Sequence, residues 1–311
     1  MDVLLTGAAG FLGSHISSRL LNEGHSVVGL DDLSTGSLKN LEKFSDNKNF
    51  TFVSADVREP ISGQFDAILN FACPASPIHY QFDPVKTIET NFIGMSNVLN
   101  NALKYQSVVI QASTSEVYGD PTETPQKETY WGNVNPIGIR SCYDEGKRSA
   151  ETLCFDFKRQ HDLDVRVIRI FNTYGPNMAE GDGRVVSNFI VQALKGEPIT
   201  IYGDGTQTRS FCYVSDLVDA IYKTLMMDSK LETPMNLGNP IEFTMLELAQ
   251  LIISQTNSKS EIAFQRLPLD DPKQRRPDIT LAKSRIDWSP KVELSSGVEQ
   301  TIKYFQELLQ K

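Results

Sequence analysis

The sequence predicts an α/β fold, a doubly wound parallel sheet with a smaller, interleaved C-terminal domain. Three observations lead there. Short apolar runs alternate with helical stretches through the first half, a glycine-rich turn joins the first run to the first helix, and from about Thr173 the segments shorten while Gly and Pro punctuate more often. The runs are almost continuously apolar, as expected for strands covered on both faces. The 311 residues are 40% hydrophobic and 22% charged, ordinary globular values that exclude a disordered or fibrous chain.

Val3-Leu4-Leu5 reads as the first strand, followed by a helical pattern to Glu23 that Gly24 stops. Further strands are expected at 27–30, 50–53, 67–70, 108–110 and 165–171. One long helix is expected over 84–105, with Pro84 suited to its first turn, and another over 141–160. Because 211–228 again reads as strand then helix, the first domain is expected over 1–173 and 211–240, and the second over 174–210 and 241–311.

Lys and Arg number 30 against 39 Asp and Glu, a net charge of −9. So acidic a body is a poor nucleic-acid binder, and an anionic ligand needs local basic sites. No uncharged apolar run approaches the ~18 residues of a membrane span. A strand beginning at Asp2 leaves no room for a signal peptide. Cys73, Cys142, Cys154 and Cys212 lie far apart without C-x-x-C, and His15, His25, His79 and His161 show no ligand spacing. The expectation is a soluble, cytoplasmic protein with no metal, nucleic acid or membrane partner.

Gly7-Ala8-Ala9-Gly10-Phe11-Leu12-Gly13 leaves a strand and opens a helix. Glycines there permit a tight turn, close backbone approach to a pyrophosphate and strand–helix packing, while the helix N-terminus favours an anion. Asp31 ends the second strand 18 positions after Gly13, where a carboxylate accepts both ribose hydroxyls and repels a 2′-phosphate. Otherwise Asp31 and Asp32 would simply start a polar loop. The reading is a Rossmann-type site for NAD rather than NADP, with Asp56 placed after the third strand to meet adenine.

Tyr143 and Lys147 stand four apart in a helix and so project from one face. An ammonium near a phenol hydroxyl stabilises the phenolate, which makes Tyr143 a candidate base for a carbinol. Thr114 and Glu116 leave the fifth strand at its carboxyl end, where ligands sit in open α/β sheets; the alternative is that Thr114 and Ser115 only cap a turn.

The glycine motif with Thr114, Tyr143 and Lys147 resembles the extended short-chain dehydrogenase/reductases that modify nucleotide sugars. Longer strings resemble the UDP-glucuronate decarboxylase (UDP-xylose synthase) family: Ala72-Cys73-Pro74-Ala75-Ser76-Pro77, residues 130–138, Ser141-Cys142-Tyr143-Asp144-Glu145-Gly146-Lys147-Arg148, residues 183–190, and Arg275-Arg276-Pro277-Asp278-Ile279. The resemblance implies C4 oxidation of UDP-glucuronate by bound NAD+, loss of CO2 from the β-keto acid and hydride return, giving UDP-xylose. It implies Tyr143 as base, Thr114 bonded to the C4 oxygen, Lys147 on the nicotinamide ribose, and Glu116 and Arg275 flanking the carboxylate. Either Glu116 sets a like charge beside the carboxylate or it orders the water that protonates C5. Phe11, Leu12, Val57, Ala72 and Asn91 join the expected cofactor contacts. Asn172 and Arg209 are expected on the diphosphate, with Arg184 and Arg276 as further candidates and Tyr202 and Gln207 near uridine.

Sugar-nucleotide 4,6-dehydratases carry Asp where this chain has Ser115, and a serine is too weak an acid to expel water, which disfavours that activity. A 4-epimerase, a synthase that contracts the ring, a decarboxylase releasing its keto product with NADH, and a non-catalytic NAD-binding sensor stay open as alternatives. The resemblance also implies a homodimer built on the helices at 84–105 and 141–160.

Overall fold

The computed structural model describes residues 1–267 and 274–310. Its centre is a seven-stranded, wholly parallel sheet. The chain supplies β1 (Asp2–Thr6), β2 (Ser26–Asp31), β3 (Phe50–Ser54), β4 (Ala67–Asn70), β5 (Val108–Thr114) and β6 (Val165–Ile170). A seventh strand, Met235–Leu237, adds beside β6. Across the sheet the order runs from that seventh strand through β6, β5, β4 and β1 to β2 and β3. The order reverses direction at β1, so a crevice opens at the carboxyl ends of β1 and β4, the usual ligand position in such sheets.

Alternation along each strand divides the core. Val3 and Leu5 join Ile16, Leu20, Leu69, Ile110 and Leu217 on one face. Leu4 joins Ile68, Val98, Leu99, Val109, Ala150 and Cys154 on the other. Each such aliphatic side chain, fully buried, contributes about 1.5–3 kcal/mol, so both faces of the sheet are held firmly. Helix α1 (Phe11–Asn22) covers the first face, and the helices Met95–Tyr105 and Ser141–His161 cover the second.

The single helix expected over 84–105 is divided. Pro84–Glu89 and Met95–Tyr105 are α-helical, and Thr90–Gly94 between them is a π turn. The buried Asn91 amide donates to the Thr87 carbonyl (2.9 Å) and so competes with the backbone ladder there. Gly94 packs where a Cβ would stand 2.7 Å from Val57 Cγ1. Both contacts suit a local widening, and apolar periodicity does not reveal it.

Outside the large sheet, Ile199–Tyr202 pairs with Ile262–Gln265, and Thr208–Ser210 lies between Glu242–Thr244 and Gln274–Arg275. These short ladders face the carboxyl ends of the main strands across the cleft. The helix Val214–Leu225 returns to pack on α1 before the seventh strand.

Candidate active site

Backbone shape builds the first part of the site. Gly7 has φ +71°, and a Cβ there would stand 2.7 Å from the Phe71 carbonyl oxygen. A Cβ on Gly13 would stand 2.0 Å from the Gly7 carbonyl oxygen. The turn therefore admits only hydrogen at both positions. Gly10 is the N-cap of α1 and offers no side-chain cap, which leaves the first-turn amides, at Phe11 and Leu12, available to an anion.

Gly7, Gly10, Asp31, Asp56, Val57 and Ala72 line one groove at the end of the strands. Asp31 accepts the Ala9 amide (2.9 Å) and the Leu33 amide (2.8 Å), and burial pushes its carboxyl above the usual range. The Asp56 carboxylate is forked by Arg58 (2.8 Å), whose other arm reaches Glu89 (2.5 Å), and that pairing holds it below the usual range. Its position suits the expectation, but its oxygens are engaged by arginine. Lys86 Nζ, bonded to Asp32 (2.7 Å), was not anticipated in this groove. Asn91 does not line it. Its amide lies beneath, bonded to Cys73 Sγ (3.1 Å), and its Oδ1 is buried with no partner among the described residues. A glycine cradle that a Cβ would fill, a helix N-terminus and a carboxylate at the end of β2 fit NAD.

The helix Ser141–His161 supplies the next part. Arg140, Tyr143, Asp144, Lys147 and Glu151 lie at i, i+3, i+4, i+7 and i+11, one continuous stripe, and all are buried. Thr114 Oγ1 accepts the Glu116 amide (3.2 Å) and so caps the turn Ser115–Tyr118, and its side chain also tempers the rise in the Tyr143 pKa. Lys147 Nζ donates to the Ala112 carbonyl (2.9 Å) and lies 5.8 Å from the Tyr143 ring centre. The expectation that Lys147 lowers the Tyr143 pKa is not met in the protein alone. Burial pushes Tyr143 well above the usual tyrosine range and pushes Lys147 below the usual lysine range.

Tyr80, unforeseen from the sequence, stacks on Tyr143 with ring centres 5.0 Å apart and planes 7° from parallel. Also unforeseen is Arg140. It donates to Glu116 Oε2 at 2.6 Å, while both terminal nitrogens of Arg275 hold the same carboxylate from the other side. Burial would raise the Glu116 carboxyl, but Arg275 and Arg140 outweigh it and hold the group below the usual range and ionised. The periodic signal was present, since Arg140 stands three residues before Tyr143 and four before Asp144.

A cleft of about 440 Å³ opens over this cluster. Glu116, Arg275, Asn172, Arg184, Tyr202, Gln207 and Arg209 all line it. Arg209 and Arg275 are register partners on adjacent parallel strands, so two guanidinium groups enter side by side. Arg184 is anchored to Asp182 (2.7 Å) with its guanidinium 5.4 Å over the Phe11 ring, which joins the cleft to the cofactor helix. Tyr202 is exposed at the lip, its carbonyl accepting the Gln207 amide. Arg276 is not brought in: its side chain is 3.7 Å from Glu242 and its backbone is tied to Gln126.

A parallel sheet with a glycine-rich dinucleotide turn and a buried Tyr-x-x-x-Lys beside a basic cleft defines an NAD-dependent enzyme of the short-chain dehydrogenase type. The chain belongs to the NAD dependent epimerase/dehydratase family, whose model matches residues 3–238. It is 52% identical over 307 residues to UDP-glucuronic acid decarboxylase 4 of Arabidopsis thaliana, covering 99% of this chain and 69% of that protein. It is 50% identical to UDP-glucuronic acid decarboxylase 1 of Danio rerio, covering 99% and 73%. Its structure is similar to that of the UDP-glucuronic acid 4-epimerase from Bacillus cereus in complex with UDP-glucuronic acid and NAD, at a TM-score of 0.89 and 27% identity, covering 99% and 100%.

Proposed function

We propose that this chain converts UDP-glucuronate to UDP-xylose and CO2 and that the residues above carry the steps. The observation that carries the reading is the Arg275–Glu116 pair on the wall of the cleft. Arg275 brings to the cleft wall a guanidinium that a sugar carboxylate would share with Glu116, and Glu116 stands beside it as a group able to manage the proton that decarboxylation requires at C5 and inversion at C4 does not.

NAD+, when bound, would supply the hydride acceptor for C4 and the source of its return. Gly7, Gly10, Phe11, Leu12 and Gly13 would hold its pyrophosphate, Asp31 its adenosine ribose, Asp56, Val57 and Ala72 the adenine side, and Lys147 the nicotinamide ribose. Tyr143 takes the C4 hydroxyl proton while Thr114 steadies that oxygen. The resulting C4 ketone is β to the carboxylate, so the C–C bond breaks with its electron pair delocalised as an enolate and CO2 leaves. Glu116 orders the proton that then arrives at C5, and Tyr143 returns its proton to the C4 oxygen. Asn172, Arg209 and Arg184 hold the diphosphate, and Tyr202 and Gln207 meet the uracil. We divide the chain into an NAD-binding domain (1–173 and 211–240) and a nucleotide-sugar domain (174–210 and 241–311).

We infer a homodimer in the cytoplasm. The dimer is supported by Phe82, Val85, Ile88, Phe92 and Ile93, which stand exposed along one run of helices, more apolar surface than a solvated face carries. Among the described residues no helix is long and apolar enough to cross a membrane.

Inversion at C4 is the second reading, favoured by the likeness to the 4-epimerase structure. One experiment separates the two: purified protein with UDP-glucuronate and no added cofactor, followed by mass spectrometry and NADH absorbance. The expected result is a UDP-pentose without accumulating NADH. An unchanged substrate mass, even with NAD+ supplied, overturns the decarboxylase reading. Sedimentation of the same preparation at the monomer mass would overturn the dimer.

A further inference from the structure

Behind the Glu116 cluster lies a second cavity, of about 200 Å³, lined by Gly119, Asp120, Asn133, Asn135, Arg140 and Asp144 among others. Arg140 lines both this cavity and the main cleft and so stands between them. Asp144 is more than nine-tenths buried, and its Oδ1 has no hydrogen-bond partner among the described residues although the residue lines the cavity. Its other oxygen is 4.0 Å from Arg140 Nε, an ionic contact too long for a hydrogen bond. A buried carboxyl oxygen without a donor is costly when ionised and tolerable when protonated.

We propose that Asp144 is the proton reservoir of this site, recharged from water in the rear cavity, and that its proton is delivered, past a Glu116 that stays ionised, to the carbon that loses CO2. The inference rests on the decarboxylase reading. The balance is simple: the C5–carboxylate bond breaks, its electron pair stays on the sugar as the enolate, CO2 departs, and C5 takes one proton that the carboxyl of Asp144 yields and water replaces.

The charges around Asp144 support this division of labour. Glu116 from the turn after β5, Arg275 from its short strand and Tyr80 from the helix Pro77–Phe82 face it, together with Arg140, Cys142 and Glu145 of its own segment. Burial and the Glu116 charge raise the Asp144 carboxyl to about 7, while the two arginines hold Glu116 low. Where the pKa values of two neighbouring acids are driven apart, the raised one is suited to give a proton and the ionised one to orient its delivery. Asp144 does not line the main cleft, so it acts through Glu116 rather than on the sugar.

The test uses the full chain and the variant Asp144→Asn. The expected result is that C4 oxidation survives and bound NADH persists in steady state, while pentose release falls at least about tenfold and the pH limb near 7 disappears. A protonated-carboxyl infrared band present in the wild type below that pH should be missing from the variant, a readout that mere loosening of the helix would not give. Unchanged rate and pH profile in Asp144→Asn overturn the proposal. Should that variant not fold, Val134→Phe fills the rear cavity while leaving the carboxyl in place: persistent NADH supports the proposal, and undiminished turnover overturns it. Wild-type protein that makes no pentose at all overturns the decarboxylase reading, and this inference falls with it.

Discussion

The dinucleotide groove and the sugar cleft are built from different materials. The groove is a matter of backbone: Gly7 and Gly13 leave no room for a Cβ, and the first turn of α1 presents amides. The cleft is a matter of charge: Arg140, Glu116 and Arg275 form a buried triad, with Arg209 beside it in register. A steric site fails abruptly when an atom is added. An ionic site loses its chemistry first and keeps its shape, as long as the replacement is isosteric. Two halves that fail so differently can be separated by mutation.

The largest effect should come from the steric half. Gly13→Ala places a methyl 2.0 Å from the Gly7 carbonyl oxygen and within 2.8 Å of the Ala8 backbone, contacts that no side-chain rotation relieves. The turn must open, and a cost of about 3 kcal/mol or more is expected, with NAD binding lost along with it. Thermal unfolding with and without added NAD measures both. A variant with the wild-type midpoint and the wild-type shift on adding NAD would show that the glycine turn is not the rigid element described here.

Glu116→Gln tests the ionic half. The amide keeps the shape and one acceptor but leaves guanidinium donors unsatisfied, so stability falls by about 1–3 kcal/mol, the cost of buried donors without an acceptor. Tyr143, Thr114 and Lys147 remain, so C4 oxidation should persist while pentose formation drops about a hundredfold or more. Single-turnover NADH absorbance beside product mass reads the two steps apart. Equal loss of both steps would mean that Glu116 holds the whole site together rather than serving C5.

What the sequence disclosed follows the same division. The first six strands of the parallel sheet and the glycine turn were legible because each depends on a local pattern: apolar runs, Gly7 to Gly13, and Asp31 at a strand end. Tyr143 and Lys147 were legible for the same reason, as one helix face. The π turn at Thr90–Gly94 was not, because it depends on Asn91 bonding a carbonyl one turn back. Arg140 was passed over although it lies on the same stripe. Its meaning appears only when Glu116, 24 residues earlier, and Arg275, 159 residues after that, meet it. The raised Tyr143 pKa was hidden too, since a spacing shows that Lys147 is near but not that both groups are deprived of water.

The smallest effect expected belongs to Asp31, where the steric half carries one charge. Its carboxylate already accepts two backbone amides, which fix its position before a ribose arrives. Burial raises its pKa, so on acidification it takes up a proton earlier than an ordinary aspartate. Above that pKa both oxygens accept from ribose hydroxyls, and below it one oxygen becomes a donor and NAD affinity falls. Asp31→Asn should therefore weaken NAD binding about tenfold near neutral pH, the scale of one charge-assisted hydrogen bond, and flatten the acid limb of the binding curve. Calorimetric titration with NAD and NADP across that range checks it, with NADP expected to lose less than NAD because the repulsion of its 2′-phosphate is removed. Equal losses for both would place the discrimination outside Asp31 and reduce its part to positioning the turn.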